Sequence, residues 1–184
     1  THGQKGFNGV AILSKLAMED VTRGLPGDAS DEQARWIEAT VVGARAVRLC
    51  GLYLPNGNPA PGPKYDYKLA WMDRMRMRAA ELLASEEPVV MAGDYNVIPQ
   101  AEDAARPELW TEDALFLPES RAAFRRIVHL GFTEAFRARG IEQHQRPRRK
   151  GQEGGEDDKA QRCQQPDQAG ANEDVEQPGC DEVF

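Results

Sequence analysis

Histidine and cysteine are scarce in this sequence, and long apolar runs are missing. The cysteines Cys50, Cys163 and Cys180 are odd in number and widely spaced, with no CxxC, so a disulfide framework is excluded. That usage fits a reducing cytosolic or nuclear compartment. Cys50 lies in an apolar run and reads as a small core residue. No stretch of about 18 apolar residues exists, so no membrane span is expected. The opening THGQKGFNG lacks the charged and apolar regions of a signal peptide, and the expected location is cytoplasmic. A basic excess is also missing. Residues 1–140 hold 17 Lys and Arg against 19 Asp and Glu, and residues 141–184 hold 6 against 11. An avid non-specific nucleic-acid binder is thereby excluded, and any anionic substrate must be held by local cations. After residue 140 the only large apolar residues are Ile141, Val175, Val183 and Phe184. Such a stretch cannot bury enough surface to offset its ordering entropy. The expectation is one domain over 1–140, followed by an acidic, disordered tail over 141–184.

What is present alternates strand and helix signals. Residues 9–14, GVAILS, read as a short buried strand. Gly24, Pro26, Gly27 and Asp28 mark a loop. Residues 36–42 and 46–54 are β-rich and flank Gly43-Ala44, which predicts an antiparallel hairpin. The segment PNGNPAPGP at 55–63 excludes regular structure. Leu69, Met72, Met75, Ala79 and Leu82 then recur at helical spacing from about Tyr65. Residues 88–92 form a further strand, and residues 118–130 a second helix with Phe124, Ile127 and Val128 on its inner side. Hairpins mixed with helices imply an α/β protein, two packed sheets with helices outside.

The strand at 88–92 runs into MAGDYNV at 91–97, an acid, an aromatic and an amide where a hydrophobic strand ends. At the carboxyl end of this strand, the period of two turns Asp94 and Asn96 to one side. Asp can bind a hard cation or take a proton from water. Asn can hold that water or donate to a phosphoryl oxygen without adding negative charge. The pairing suits phosphodiester hydrolysis, but an isolated GDxN is more often a plain turn.

Two other stretches bear on the choice. In YLPNG at 53–57, Tyr53 would present its phenol at the same rim and Asn56 would reach a phosphate or a base; the alternative is a half-buried tyrosine before a turn. In HGQKGFNG at 2–9, backbone and Lys5 would contact phosphates; the alternative is an ordinary hairpin loop.

In this order the stretches resemble the exonuclease III family of DNA repair nucleases, in the endonuclease/exonuclease/phosphatase superfamily. The similarity rests on HGQKGFNGVAILSK at 2–15, RGLPGD at 23–28, Arg35-Trp36-Ile37, YLPNG, KYDYKLAW at 64–71, GDYN at 93–96, and FLPESR followed by GFTEAFR up to Arg137. It implies a four-layer α/β sandwich. It also implies Asp94 as the carboxylate that activates water beside a divalent metal, Asn96 as the amide that steadies that water and shares the metal site, and Tyr53 as a phenol facing the scissile phosphate. Asn56, Arg35 and Lys68 would contact DNA, with Lys5 an ordinary loop cation or a further contact.

The resemblance also marks what is missing. The family's upstream WN or FN asparagine and QE glutamate, and its downstream RID-like and SDH segments, have no counterpart here, and His144 lacks the neighbours to replace the histidine. The expectation is therefore a central fragment, incomplete at both ends and catalytically impaired, with residues after about Gly140 arising from a frame change or an unspliced stretch. The implied activity is Mg²⁺-dependent (or Mn²⁺-dependent) hydrolysis of double-stranded DNA at abasic sites and 3′ ends by a monomer. Two alternatives stay open: a phosphatase acting on phosphoinositides or other small phosphodiesters, and a non-catalytic remnant that binds DNA.

Overall fold

The computed structural model describes residues 1–140. The tail expected over 141–184 lies outside the described residues. Four strands form one sheet in the order β3 (Ala17–Arg23), β4 (Trp36–Val42), β5 (Val47–Tyr53) and β6 (Val89–Asp94). The first three run antiparallel, with Val41 opposite Val47 closing the expected hairpin. Strand β6 adds parallel to β5, in the register Arg48 to Val89 through Tyr53 to Asp94. A parallel neighbour requires a crossover, and helix α1 (Pro63–Ala84) supplies it.

Even-numbered residues of β4 and β5 and odd-numbered residues of β6 face α1. Trp36, Cys50, Leu52, Trp71, Met72, Met75, Ala79 and Leu82 are buried there, and Val89 and Met91 pack against them. Trp36 and Trp71 meet edge to face at 6.1 Å. Helix α2 (Pro118–Val128) adds Ala123, Phe124 and Ile127 to the same core, with Val128 half-buried. A short helix α3 (Ala135–Ala138) follows. Cys50 is a core residue as expected: it is buried, and burial, followed by the charge of Glu38, pushes its thiol up to about 12.

The opposite face of the sheet carries Ile37, Ala39, Leu49, Gly51, Tyr53, Val90, Ala92 and Asp94. A small hairpin, β1 (His2–Gly3) against β2 (Gly9–Val10), lies beside part of it. A Cβ on Gly51 would sit 3.7 Å from Ile12 Cγ1 and 3.8 Å from Ala11 O.

The α/β class holds, and of the four expected layers the described residues supply one helical layer and one four-stranded sheet, with the β1–β2 hairpin across part of the other face. One expectation is corrected, and one strand has no counterpart among the expected elements. The run at 9–14 is not a buried strand: only Gly9–Val10 pairs, and Leu13 is 92% exposed. Its apolar residues extend past the hairpin, where no strand pairs with them. The edge strand β3 carries no sequence signal because AMEDVTR is exposed on both faces; its acids and the bulge between Glu19 and Thr22 blunt the edge. Among the described residues no helix is long and apolar enough to cross a membrane.

Candidate active site

The parallel β5–β6 pairing creates the site. Tyr53 and Asp94 are register partners at the carboxyl ends of adjacent strands, so their side chains leave the sheet on the same side. Leu54 N donates to Asp94 O at 2.8 Å, which keeps the strands joined to the last residue. The two strands can approach this closely because position 93 is glycine: with φ +147, a Cβ there would lie 1.9 Å from Leu52 O. Tyr53 and Asp94 border a cleft of about 270 Å³, closed on its other side by Gly9, Val10 and Ala11.

Asp94 is exposed, and its Oδ1 accepts the Asn96 backbone N–H at 2.9 Å. Strand alternation therefore stops at Asp94, correcting the expectation that it carries Asn96. Asn96 adopts a left-handed φ of 44, and its Nδ2 donates to Leu54 O at 2.8 Å. A turn, and not strand alternation, brings the carboxylate and the amide together. With its nitrogen committed, the amide has its oxygen for a cation or a water. Between them Tyr95 turns to the helix side, edge to face with Phe124 at 5.6 Å, and burial raises its pKa.

Arg35 lies over the Tyr53 ring, 5.0 Å from its centroid, and its Nη1 donates to Tyr53 O at 3.2 Å. Its Nε donates to Gln33 Oε1 at 2.6 Å, an oxygen that also accepts from Asn8 Nδ2 at 3.3 Å. Gln4 Oε1 accepts the Ala34 N–H at 2.6 Å, and His2 Nδ1 lies 3.0 Å from Trp36 O. The HGQKG hairpin thus docks on the segment that holds Arg35 against Tyr53. Lys5 is exposed at its tip. From the other side, Asp31 accepts from Tyr67 at 3.0 Å and pairs with Arg74, fastening the 24–35 loop to α1. Burial, then Asp31, pushes the Tyr67 phenol up to about 12.

Asn56 is exposed; its Oδ1 accepts the Asn58 N–H at 3.0 Å, leaving Nδ2 as the donor available to a ligand. Lys68 is the second correction at the site. It is 0% exposed, and its Nζ donates to Asn56 O at 3.0 Å, Asn96 O at 2.6 Å and Ala114 O at 3.1 Å. With all three N–H groups used inside the protein, it is not a surface contact for DNA. Burial pulls its pKa down to about 8, against the nearby charges of Asp113 and Asp94. Residues 113–114, absent from the sequence reading, complete the frame: Asn58 Nδ2 donates to Asp113 Oδ2 and Ala114 N to Asn58 Oδ1, both at 3.0 Å.

Among the described residues no group of three or more His, Cys, Asp or Glu is placed to hold a metal. Among the described residues that line the cleft, Asp94 is the one carboxylate. One carboxylate fits a Mg²⁺ that takes its other oxygens from water and substrate phosphate, and does not make an all-protein cage.

The sequence matches the Endonuclease/Exonuclease/phosphatase family over residues 1–155. The chain belongs to that family. It is 32% identical over 134 residues to the DNA repair nuclease APEX1 of Danio rerio, covering 73% of this chain and 42% of that protein. Exodeoxyribonuclease III of Haemophilus influenzae is 31% identical over 146 residues, covering 74% and 54%. A solved AP endonuclease from Archaeoglobus fulgidus is similar with a TM-score of 0.70 at 33% identity, over 77% of this chain and 54% of that one. The chain spans about half the length of the curated relatives it matches. The family's α/β fold is the one seen here.

Proposed function

We propose that this chain supports metal-assisted hydrolysis of DNA phosphodiesters at abasic sites and 3′ ends, as in base-excision repair. The observation that carries the reading is the pairing of the Tyr53 phenol and the Asp94 carboxylate on one side of the β5–β6 rim, above an open cleft. Relatives named as exodeoxyribonucleases and a DNA repair nuclease supply the substrate class.

Water attacks phosphorus in line with the departing sugar oxygen. Asp94 accepts a proton from that water, the bond from phosphorus to the sugar oxygen breaks and that oxygen is protonated from solvent, and the Asn96 amide, fixed through Leu54 O, orients the water. Tyr53 donates from its phenol to a phosphoryl oxygen, held in place by Arg35 stacked on its ring. Arg35, Asn56 Nδ2 and Lys5 offer donors to flanking phosphates. Mg²⁺, or Mn²⁺, would be held by Asp94 with the Asn96 oxygen, and when bound supplies charge neutralisation at the phosphoryl group.

The test is cleavage of a duplex carrying one abasic-site analogue by the 184-residue chain, with and without Mg²⁺, beside its Asp94→Ala variant. Mg²⁺-dependent cutting that vanishes in the variant is expected. Cutting that survives the substitution would remove Asp94 from the mechanism. Duplex binding without any cutting would reduce the chain to a DNA-binding module.

A further inference from the structure

We propose that Lys68 is the positioning residue of this site, a buried ammonium that holds the backbone loops carrying Asn56, Asn96 and Asp113 in one arrangement through their carbonyls. The inference rests on the phosphodiesterase reading for its kinetic consequence, and on geometry alone for its structural one.

Lys68 has no surface exposure and none of its three hydrogen bonds goes to a carboxylate. An ammonium has three donors and here finds three carbonyl acceptors. Burying a charge is costly, so a packing role alone would be served better by a methionine of the same length. The charge is instead spent on three segments far apart in sequence: the turns after β5 and β6, and the loop before α2. The 55–58 turn is built around the lysine stem. Gly57 has φ +92, and a Cβ there would come within 2.6 Å of Lys68 Cδ.

The shortest of the three bonds, 2.6 Å, goes to Asn96 O. Asn96 adopts a left-handed conformation, which asparagine tolerates better than other non-glycine residues and which the bonds to its backbone and amide select here. Lys68 grips its backbone while Leu54 O grips its amide. Removing the ammonium frees Asn96 to relax and turns its amide away from the water it orients. Lys68 itself touches no phosphate, so the loss falls chiefly on turnover, with only the small change in affinity that loosening Asn56 brings and no change in the salt dependence of binding, which separates this role from a phosphate contact.

The experiment compares wild type, Lys68→Met, Lys68→Gln and a control, Leu82→Ala, at a core position farther along α1. Kinetics on the abasic duplex should show kcat down about 100-fold in Lys68→Met with KM within about threefold of wild type, an intermediate loss in Lys68→Gln, and little change in Leu82→Ala. The salt dependence of duplex binding should match wild type in all three variants. Hydrogen exchange on the same proteins, which needs no activity, should show faster exchange confined to residues 55–58, 94–98 and 113–116 in the Lys68 variants. A raised KM with a shallower salt slope would return Lys68 to phosphate contact and overturn the proposal. So would exchange that rises throughout the core as in the control, or loss of cooperative folding in both Lys68 variants while Leu82→Ala still folds. If wild type does not cut but the exchange pattern is localised, the phosphodiesterase reading fails and the positioning of the loops stands.

Discussion

Arg78 clasps Glu38 with two nitrogens, Nε to Oε1 at 2.9 Å and Nη2 to Oε2 at 2.8 Å, although Glu38 has no exposed surface. Trp36 Nε1 donates to the same carboxylate at 2.8 Å, and Arg48 Nε lies 3.7 Å away. One acid in the middle of β4 thus joins the helix to the sheet.

Burial alone would raise the pKa of Glu38, but the hydrogen bonds from Arg78 and Trp36, with the charges of Arg78 and Arg48, hold it below the ordinary 4.5. The folded chain then binds this proton less readily than the unfolded chain. The stability it contributes is present above pH 4.5 and is lost as pH falls through the lower folded value. Urea unfolding followed by circular dichroism should show stability dropping on the acid side. Glu38→Gln should flatten that limb while costing about 1–3 kcal/mol at neutral pH, because it removes the charge that Arg78 and Trp36 bond, although Arg78 is partly exposed and keeps Glu81. An unchanged acid limb in the variant would assign the acid sensitivity to other carboxylates.

Gly93→Ala should destabilise the fold by more than about 3 kcal/mol, since the new Cβ would overlap Leu52 O. Thermal melting decides this. A variant that melts with wild type would mean that β5 and β6 can part without cost.

Tyr53→Phe should lower cleavage of the abasic duplex roughly 100-fold, as loss of one donor to a developing oxyanion does. Arg35→Ala should lower it less, and the two losses should add only in part, because Arg35 covers the Tyr53 ring as well as offering donors to a flanking phosphate. A double-mutant cycle measures the coupling, expected at about 0.5–1 kcal/mol. Full additivity would show that Arg35 works on substrate independently of Tyr53.

Cys50 should resist alkylation in the native protein. Its thiol is buried and pushed up to about 12, so at about pH 8 almost no thiolate forms until the chain opens. Iodoacetamide labelling with peptide mapping should modify the Cys50 peptide in urea and leave it intact without. Rapid native labelling would reveal local opening of β5.

How far the sequence discloses this structure depends on whether a residue's type and its periodicity agree. They agree along β4, β5 and α2, whose bounds follow from apolar pattern and turn residues. They disagree at Lys68. Lys68, Met72, Met75, Ala79 and Leu82 succeed one another at spacings of four and three, the stripe that α1 buries. The period places Lys68 inside; its charge suggested outside, and the period was right. Asn96 illustrates a different limit: strand alternation is a sound rule only while the strand lasts, and nothing in GDYN shows that it stops at Asp94. At 9–14 the apolar residues express a demand for burial, but not which surface meets it.

The parallel junction of β5 and β6 has a kinetic corollary. Tyr53 and Asp94 touch the same cleft but are separated by an entire helical crossover, so their contact is among the non-local ones that a folding chain closes at greatest entropic expense. A hairpin of β4 and β5 can form early and still contain no trace of the rim. The rim exists only once α1 has docked and β6 has paired with β5, so no intermediate short of that step holds both side chains over one cleft.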